Sequence, residues 1–185
     1  MVTEFISLDG VVEGPGGGED YKHVGWTFAF DRGDEGNKFK LDELVEAEAQ
    51  LLGRRTYEGF AAAWPERTDE FGFADKMNSM PKYVVSTTLQ NAEWTNTTIL
   101  RSLDDVAKAN EDVEGVMLVA GSPQLVQGLL ENDLVDELRL MVFPVVLGAG
   151  KRLFGETSDK KRLRLVESRT VGDGVEILVY ERAAE

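Results

Sequence analysis

Residues 51–60 read LLGRRTYEGF. Two leucines suited to a buried strand run into a glycine, two adjacent arginines and a threonine, and the spacing then turns helical. The segment predicts a short strand over 49–52, a turn at Gly53-Arg54-Arg55-Thr56 and a helix to about residue 63. At a helix start the first backbone N–H groups lack partners and the dipole is positive. A phosphate fits that end, arginines can fork its oxygens, and glycine lets the backbone approach closely. The same residues also fit a surface helix start whose arginines pair with neighbouring acids.

The pattern repeats in GVMLVAGSPQLVQGLLEN (115–132), which reads as a buried strand, a turn and a helix. Ser122 is expected to be the N-cap and Pro123 the first helical residue. Open α/β sheets place ligands at such strand ends. Two of these turns in one domain suggest a two-point grip on a dinucleotide; the plain alternative for the second is an ordinary capped helix. Ser86-Thr87-Thr88, at the end of the strand KYVVS (82–86), offers hydroxyls to a ribose or phosphate, or is simply the polar end of a strand.

Outward from these turns, VTEFISL (2–8) reads as a strand ended by Asp9-Gly10. Residues 13–37 hold seven glycines and many acids and read as a long irregular loop. A helix is expected over about 38–48, loop over 64–72, and a helix from Leu103 capped by Ser102. LVDELRLMVFPVVLGAG holds a strand closed by Pro144 and then a second short apolar run. RLRLVESRTV and VEILVYER flank Gly172-Asp173-Gly174, a hairpin signal. With no internal repeat or linker, residues 1–185 read as one three-layer α/β domain with a mixed sheet and a C-terminal antiparallel hairpin.

Composition narrows the chemistry. The 185 residues are 42% hydrophobic, a globular content, and no apolar run approaches the roughly 18–20 residues of a membrane span. The start Met1-Val2-Thr3-Glu4 carries no basic region, so no secretory signal and a cytoplasmic location are expected. The absence of cysteine excludes disulfides, zinc-thiolate and iron–sulfur sites and thiol nucleophiles. A single histidine, His23, excludes multi-histidine metal sites, and it reads as a loop residue. The net charge of −14, from 34 acidic and 20 basic residues, repels nucleic acid and anionic lipid and points to small-molecule partners. Such a surface serves solubility or adaptation to high salt. Against it, tandem arginines suggest a recessed anion site.

Other motifs fail. Gly14, Gly16 and Gly18 lack the dinucleotide-fingerprint spacing, no P-loop lysine follows a glycine run, and residues 31–42 miss the calcium-loop pattern at positions three and twelve. Trp26, Phe28 and Phe30 suit either the wall of a ring-shaped ligand's pocket or core anchors for the glycine-rich loop.

SLDG (7–10), LLGRRTYEGF (51–60), KYVVSTTL (82–89), VAGSPQLVQGLL (119–130) and LVDELRLMVFPVVLGAGKRLF (134–154) together resemble the dihydrofolate reductase-like superfamily. The nearest likeness is to the reductase domain of the bifunctional riboflavin-biosynthesis deaminase/reductase and its stand-alone relatives. The resemblance implies a mixed, largely eight-stranded sheet flanked by helices, a homodimer, and NADPH as hydride donor. It implies that Gly53, Arg54, Arg55 and Thr56 meet the cofactor's phosphates, an arginine favouring the 2′-phosphate. Ser86 and Thr87 would lie beside the adenosine part, and Gly121, Ser122, Pro123, Gln124 and Leu125 at the pyrophosphate and nicotinamide side. Asp9 would lie near the substrate, as the candidate catalytic carboxylate; its alternative role is to cap the turn after the first strand. With Trp26 as a pocket wall, the expected activity is reduction of a pyrimidine- or pterin-like heterocycle, as in the 5-amino-6-(5-phosphoribosylamino)uracil reductases. The alternatives are a dihydrofolate reductase and a non-catalytic nucleotide-binding dimer. Dihydrofolate reductases carry an acid on the helix after the first loop; Asp34, Glu35 and Asp42 lie nearby but in no recognisable motif. From the length and the missing cysteines no deaminase domain is expected, and the 13–37 loop is unlike that of the riboflavin enzymes.

Overall fold

Apolar side chains on both faces of the central strands determine the architecture. In a computed structural model, which describes residues 1–183, Leu51 and Val119 pack to one side of the sheet while Leu52 and Leu118 pack to the other. Adjacent strand residues point to opposite faces. A strand covered on both sides therefore reads as an unbroken apolar run, as these do.

The chain runs β1 (Val2–Ser7), a 3-10 turn (Trp26–Ala29), α1 (Gly33–Glu46), β2 (Ala47–Gly53), α2 (Arg54–Ala63), α3 (Phe73–Ser79), β3 (Lys82–Val85) and β4 (Thr97–Leu100). It continues through α4 (Leu103–Glu111), β5 (Val116–Ala120), α5 (Pro123–Glu131), β6 (Glu137–Phe143), β7 (Leu163–Val171) and β8 (Val175–Arg182). One eight-stranded sheet has the order β4-β3-β2-β5-β1-β6-β8-β7. Strands β1 to β6 pair in parallel; β8 pairs antiparallel with both β6 and β7. The expected mixed, mostly parallel α/β fold with a C-terminal hairpin is thus what the chain forms. Helices α4 and α5 cover one face through Val106, Val126 and Leu129. Leu44, Tyr57 and Met77, from α1, α2 and α3, cover the other. A third cluster, centred on Phe143, Ile177 and Phe39, seats α1 against the hairpin side of the sheet.

Local signals hold at several boundaries. Ser102 accepts the Asp105 N–H and caps α4, Pro144 follows the last residue of β6, and Gly172 and Gly174 adopt φ of 48° and 83° in the β7–β8 turn. Others differ. Helix α1 starts at Gly33, inside the expected 13–37 loop. Its two early glycines weaken the helical signal, but the sheet lies so close that a Cβ on Gly36 would come 3.2 Å from Val171 and 3.3 Å from Met141. Helix α3 went unread because its start is organised from outside, by Asp69 accepting the N–H groups of Phe71, Phe73 and Ala74. The apolar run after Pro144 makes no strand; its Val145 carbonyl accepts the Leu8 N–H, and beyond it Arg152 forms an isolated bridge with Val11.

Candidate functional site

Because β1, β2, β3 and β5 run in parallel, the ends of β2, β3 and β5 at Gly53, Val85 and Ala120 lie together at one end of the sheet, and β1, whose Thr3 pairs with Ala120, runs on past them to Ser7. There the two turns singled out from the sequence interlock. The Gly53 N–H donates to Ser122 Oγ at 2.9 Å, and the Ser122 N–H donates to Thr56 Oγ1 at 3.0 Å. Ser122 is therefore not the side-chain cap of its own helix, as expected from its position before Pro123. It adopts φ 63°, ψ 48°, and its hydroxyl is spent on the neighbouring turn. Gly121 precedes it with φ 63°, and a Cβ there would meet Thr56 Cγ2 at 3.2 Å. Two helix N-termini, those of α2 and α5, are thus fixed side by side.

Arg54 and Arg55 open α2 but are not equivalent. Arg54 forms an exposed pair with Glu58 at 2.9 Å, one helical turn on. Arg55 is exposed and makes no ion pair among the described residues. Pro123 and Leu125 lie at the start of α5 with exposed Gln124 between them. At the β3 tip Ser86 is buried, and its Oγ accepts the Thr88 and Leu89 N–H groups; Thr87 is exposed.

Two carboxyl groups flank this end of the sheet with opposite electrostatics. Asp9 accepts from Ser7 Oγ at 2.7 Å and from the Leu147 and Gly148 N–H groups at 3.1 and 2.9 Å. The Ser7 bond, then the backbone bonds, hold its pKa down at about 2, so it is an anion at neutral pH. Glu4, on β1 beside Gly121, is 3% exposed, and its Oε1 has no hydrogen-bond partner. Burial raises its pKa to about 8, against smaller opposing effects of Lys40 and the Gly121 N–H.

On the α1 side of β1 lies a cavity of about 290 Å³ lined by Phe5, Phe28, Phe30, Asp31, Arg32 and Asn37, among others. Phe28 is 78% exposed at its rim. Trp26 takes the other of its two expected parts. It is 7% exposed, donates from Nε1 to the Glu13 carbonyl, and sets its ring edge-on to Phe143, anchoring the loop in the core. Glu43, the buried acid of α1, accepts from Thr3 and pairs with Lys40 at 2.5 Å. Among the described residues no cluster of three or more His, Asp or Glu is placed to hold a metal ion, and no helix is long and apolar enough to cross a membrane.

Comparison with known proteins gives the family and the fold. The sequence model of the RibD C-terminal domain matches residues 1–177. The chain belongs to the RibD C-terminal domain family. Two Bacillus subtilis (strain 168) proteins of similar length are related to it. Uncharacterized protein YyaP is 30% identical over 181 residues, covering 95% of this chain and 90% of the relative. Uncharacterized protein YwjB is 28% identical over 180 residues, covering 96% and 94%. Among solved structures, a putative riboflavin biosynthesis protein from Shewanella sp. PV-4 superposes with a TM-score of 0.76 at 22% identity, covering 99% of this chain and 98% of the other. A pyrimidine reductase-like protein from Corynebacterium diphtheriae gives 0.63 at 14% identity, covering 100% and 91%. At these identities the structures show that the RibD C-terminal fold is shared.

Sequence reasoning missed three features of this family member's site. Glu4 had a signal, since it interrupts the apolar alternation Val2, Glu4, Ile6 on one strand face. Phe5 and Arg32 had none, because the cavity joins β1 to the start of a helix whose first turn was read as loop.

Proposed function

We propose that this chain is a reductase that passes a hydride from NADPH to a pyrimidine- or pterin-like heterocycle, working in the cytoplasm as a homodimer with small-molecule partners only. The single observation that carries the reading is the latch between Gly53, Thr56 and Ser122. It presents two helix N-termini together, each with unpaired first-turn N–H groups and the positive end of a dipole. That arrangement suits a pyrophosphate.

NADPH, when bound, would supply the hydride, and the protein's part is to bind, orient and exclude water. The first-turn N–H groups of α2 and those of Gln124 and Leu125 would hold the phosphates. Arg55, free of an ion pair, would meet a 2′-phosphate, with Arg54 joining once released from Glu58. The exposed Thr87 hydroxyl would serve the adenosine part. Gly121 would let the nicotinamide side approach the backbone. The cavity beside Phe5 would seat the acceptor ring between aromatic walls. Asp9, held ionised, would order the Leu147–Gly148 loop at the site's edge.

Asp31 and Arg32, just before α1, and Asn37 in its first turns line the cavity, while the buried acid Glu43 is already paired with Lys40 and does not line it. Titration with the two cofactors tests the reading. NADPH should bind at least about tenfold more tightly than NADH, as one charge-assisted phosphate contact of ~1.5–3 kcal/mol requires. Arg54→Ala combined with Arg55→Ala should bring the two affinities together. Equal affinities in the parent protein defeat the assignment. NADPH bound but oxidised by no pteridine, flavin or pyrimidine acceptor would leave a binding module without catalysis.

A further inference from the structure

Two cations lie over the same aromatic ring, and only one has an anion. Lys40 Nζ is 5.0 Å from the Phe5 ring centre and is neutralised by Glu43 at 2.5 Å. The Arg32 guanidinium is 5.1 Å from that ring centre, half-buried in the cavity wall. Among the described residues it forms no ion pair. Burial pulls the Arg32 pKa down and Asp31 opposes this only in part, yet a guanidinium stays protonated. A desolvated charge without a partner is costly, and a bound anion removes that cost.

The backbone beneath Arg32 is also set in place from outside. The Asp173 N–H at the β7–β8 turn donates to the Asp31 carbonyl at 2.7 Å, and Asp173 Oδ2 accepts the Asp31 N–H at 2.8 Å. A Cβ on Gly172 would fall 2.0 Å from the Asp31 carbonyl oxygen and 2.6 Å from the Arg32 carbonyl carbon, so only glycine allows the turn to press on this segment. The hairpin tip therefore fixes the backbone that carries Arg32 before any ligand arrives, which reduces the ordering cost of binding.

Resting on the reductase reading, we propose that Arg32 is the specificity-determining residue of the acceptor site and selects a planar conjugated ring carrying a negative charge at its edge. Phe28 and Phe30 provide apolar contact for the ring's faces, and Arg32 forks the anionic group, as a guanidinium does best with a planar oxyanion. The exposed Asn37 amide, with both donors and an acceptor, meets the ring's polar edge.

Orotate and orotamide share one pyrimidine ring and differ in charge, and they serve as probes in calorimetric titrations of the whole chain without cofactor. The parent protein should prefer orotate by about tenfold or more. Arg32→Ala should bring the ratio to near one, and Arg32→Lys, which keeps the charge but loses the planar fork, should retain part of it. Asp173→Ala, which frees the Asp31 N–H, should lower the ratio while the melting curve stays cooperative. If Arg32→Ala does not fold, the Arg32→Lys and Asp173→Ala ratios decide. A parent that binds neither probe, or binds both equally, overturns the proposal, as does a preference that survives these substitutions. Because no nicotinamide cofactor is present, this result is independent of the NADPH-against-NADH comparison, so either idea can fail without the other.

Discussion

Glu4 puts a carboxyl group into a strand face that is otherwise apolar, beside the glycine that opens the α5 turn. Its pKa is raised from 4.5 to about 8 by burial. Between those values the folded chain holds a proton that the unfolded chain has released. Stability from this group is complete below pH 4.5 and is lost as pH rises through 8, with a limiting slope of about 1.4 kcal/mol per pH unit. Glu4→Gln keeps the shape and cannot ionise. Urea unfolding should show the variant gaining on the parent steadily from pH 5 to pH 8, and the more stable of the two at pH 8.5. A difference between the two that does not change with pH would mean that Glu4 is ionised in the fold. Asp9 behaves in the opposite sense. Its folded pKa of about 2 lies below the ordinary 3.8, so its contribution is present above pH 4 and fades as pH falls towards 2. In Asp9→Asn the stability difference from the parent should therefore shrink on acidification, which a set of acid unfolding curves would record.

At the scale of elements, the two turns stand or fall together, because each supplies a hydrogen bond to the other. Thr56→Val removes the acceptor for the Ser122 N–H and preserves volume. Leaving that donor unpaired costs about 1–3 kcal/mol, and the loss should appear both in denaturant unfolding and as a several-fold weaker NADPH titration. Ser122→Ala, which strands the Gly53 N–H instead, should give the same pair of symptoms. Unchanged stability and affinity in both variants would show the turns to be independent. These turns were legible in the sequence because a buried strand changes to helical spacing across a few residues at 53–56 and again at 121–125. What the hydroxyls do was not legible. Ser122 before Pro123 has every mark of a local cap, but its partner lies 69 residues away in the chain. The start of α1 was hidden for a related reason, since Gly33 and Gly36 look like loop until the sheet beneath them is known. The cavity was illegible for the same cause, being assembled from β1, the loop and that unread first turn.

For the molecule as a whole, net charge and the open sheet edge act against each other. Strand β7 closes one end of the sheet, eight of its nine residues are exposed, and Leu163, Leu165 and Val166 are 36, 49 and 48% exposed. A long edge strand of this kind offers unpaired N–H and C=O groups to another chain unless something covers it. The −14 charge would keep copies apart, but β7 itself is locally exempt. Within Leu163–Val171, Arg164 and Arg169 outnumber Glu167, and those arginines are tied to Glu181 and Glu167. A second copy of the chain, paired edge to edge, would cover the three apolar side chains and extend the sheet. Sedimentation velocity should accordingly find a dimer. Its dissociation should be greatest at low ionic strength, where repulsion between the acidic bodies reaches furthest, and should diminish as salt shortens the screening length from about 30 Å at 0.01 M to 3 Å at 1 M. Leu165→Glu, on an exposed strand position, should give a monomer with little change in its unfolding transition. A parent that sediments as a monomer throughout that salt range, or a Leu165→Glu variant that remains dimeric, would take the homodimer off this edge.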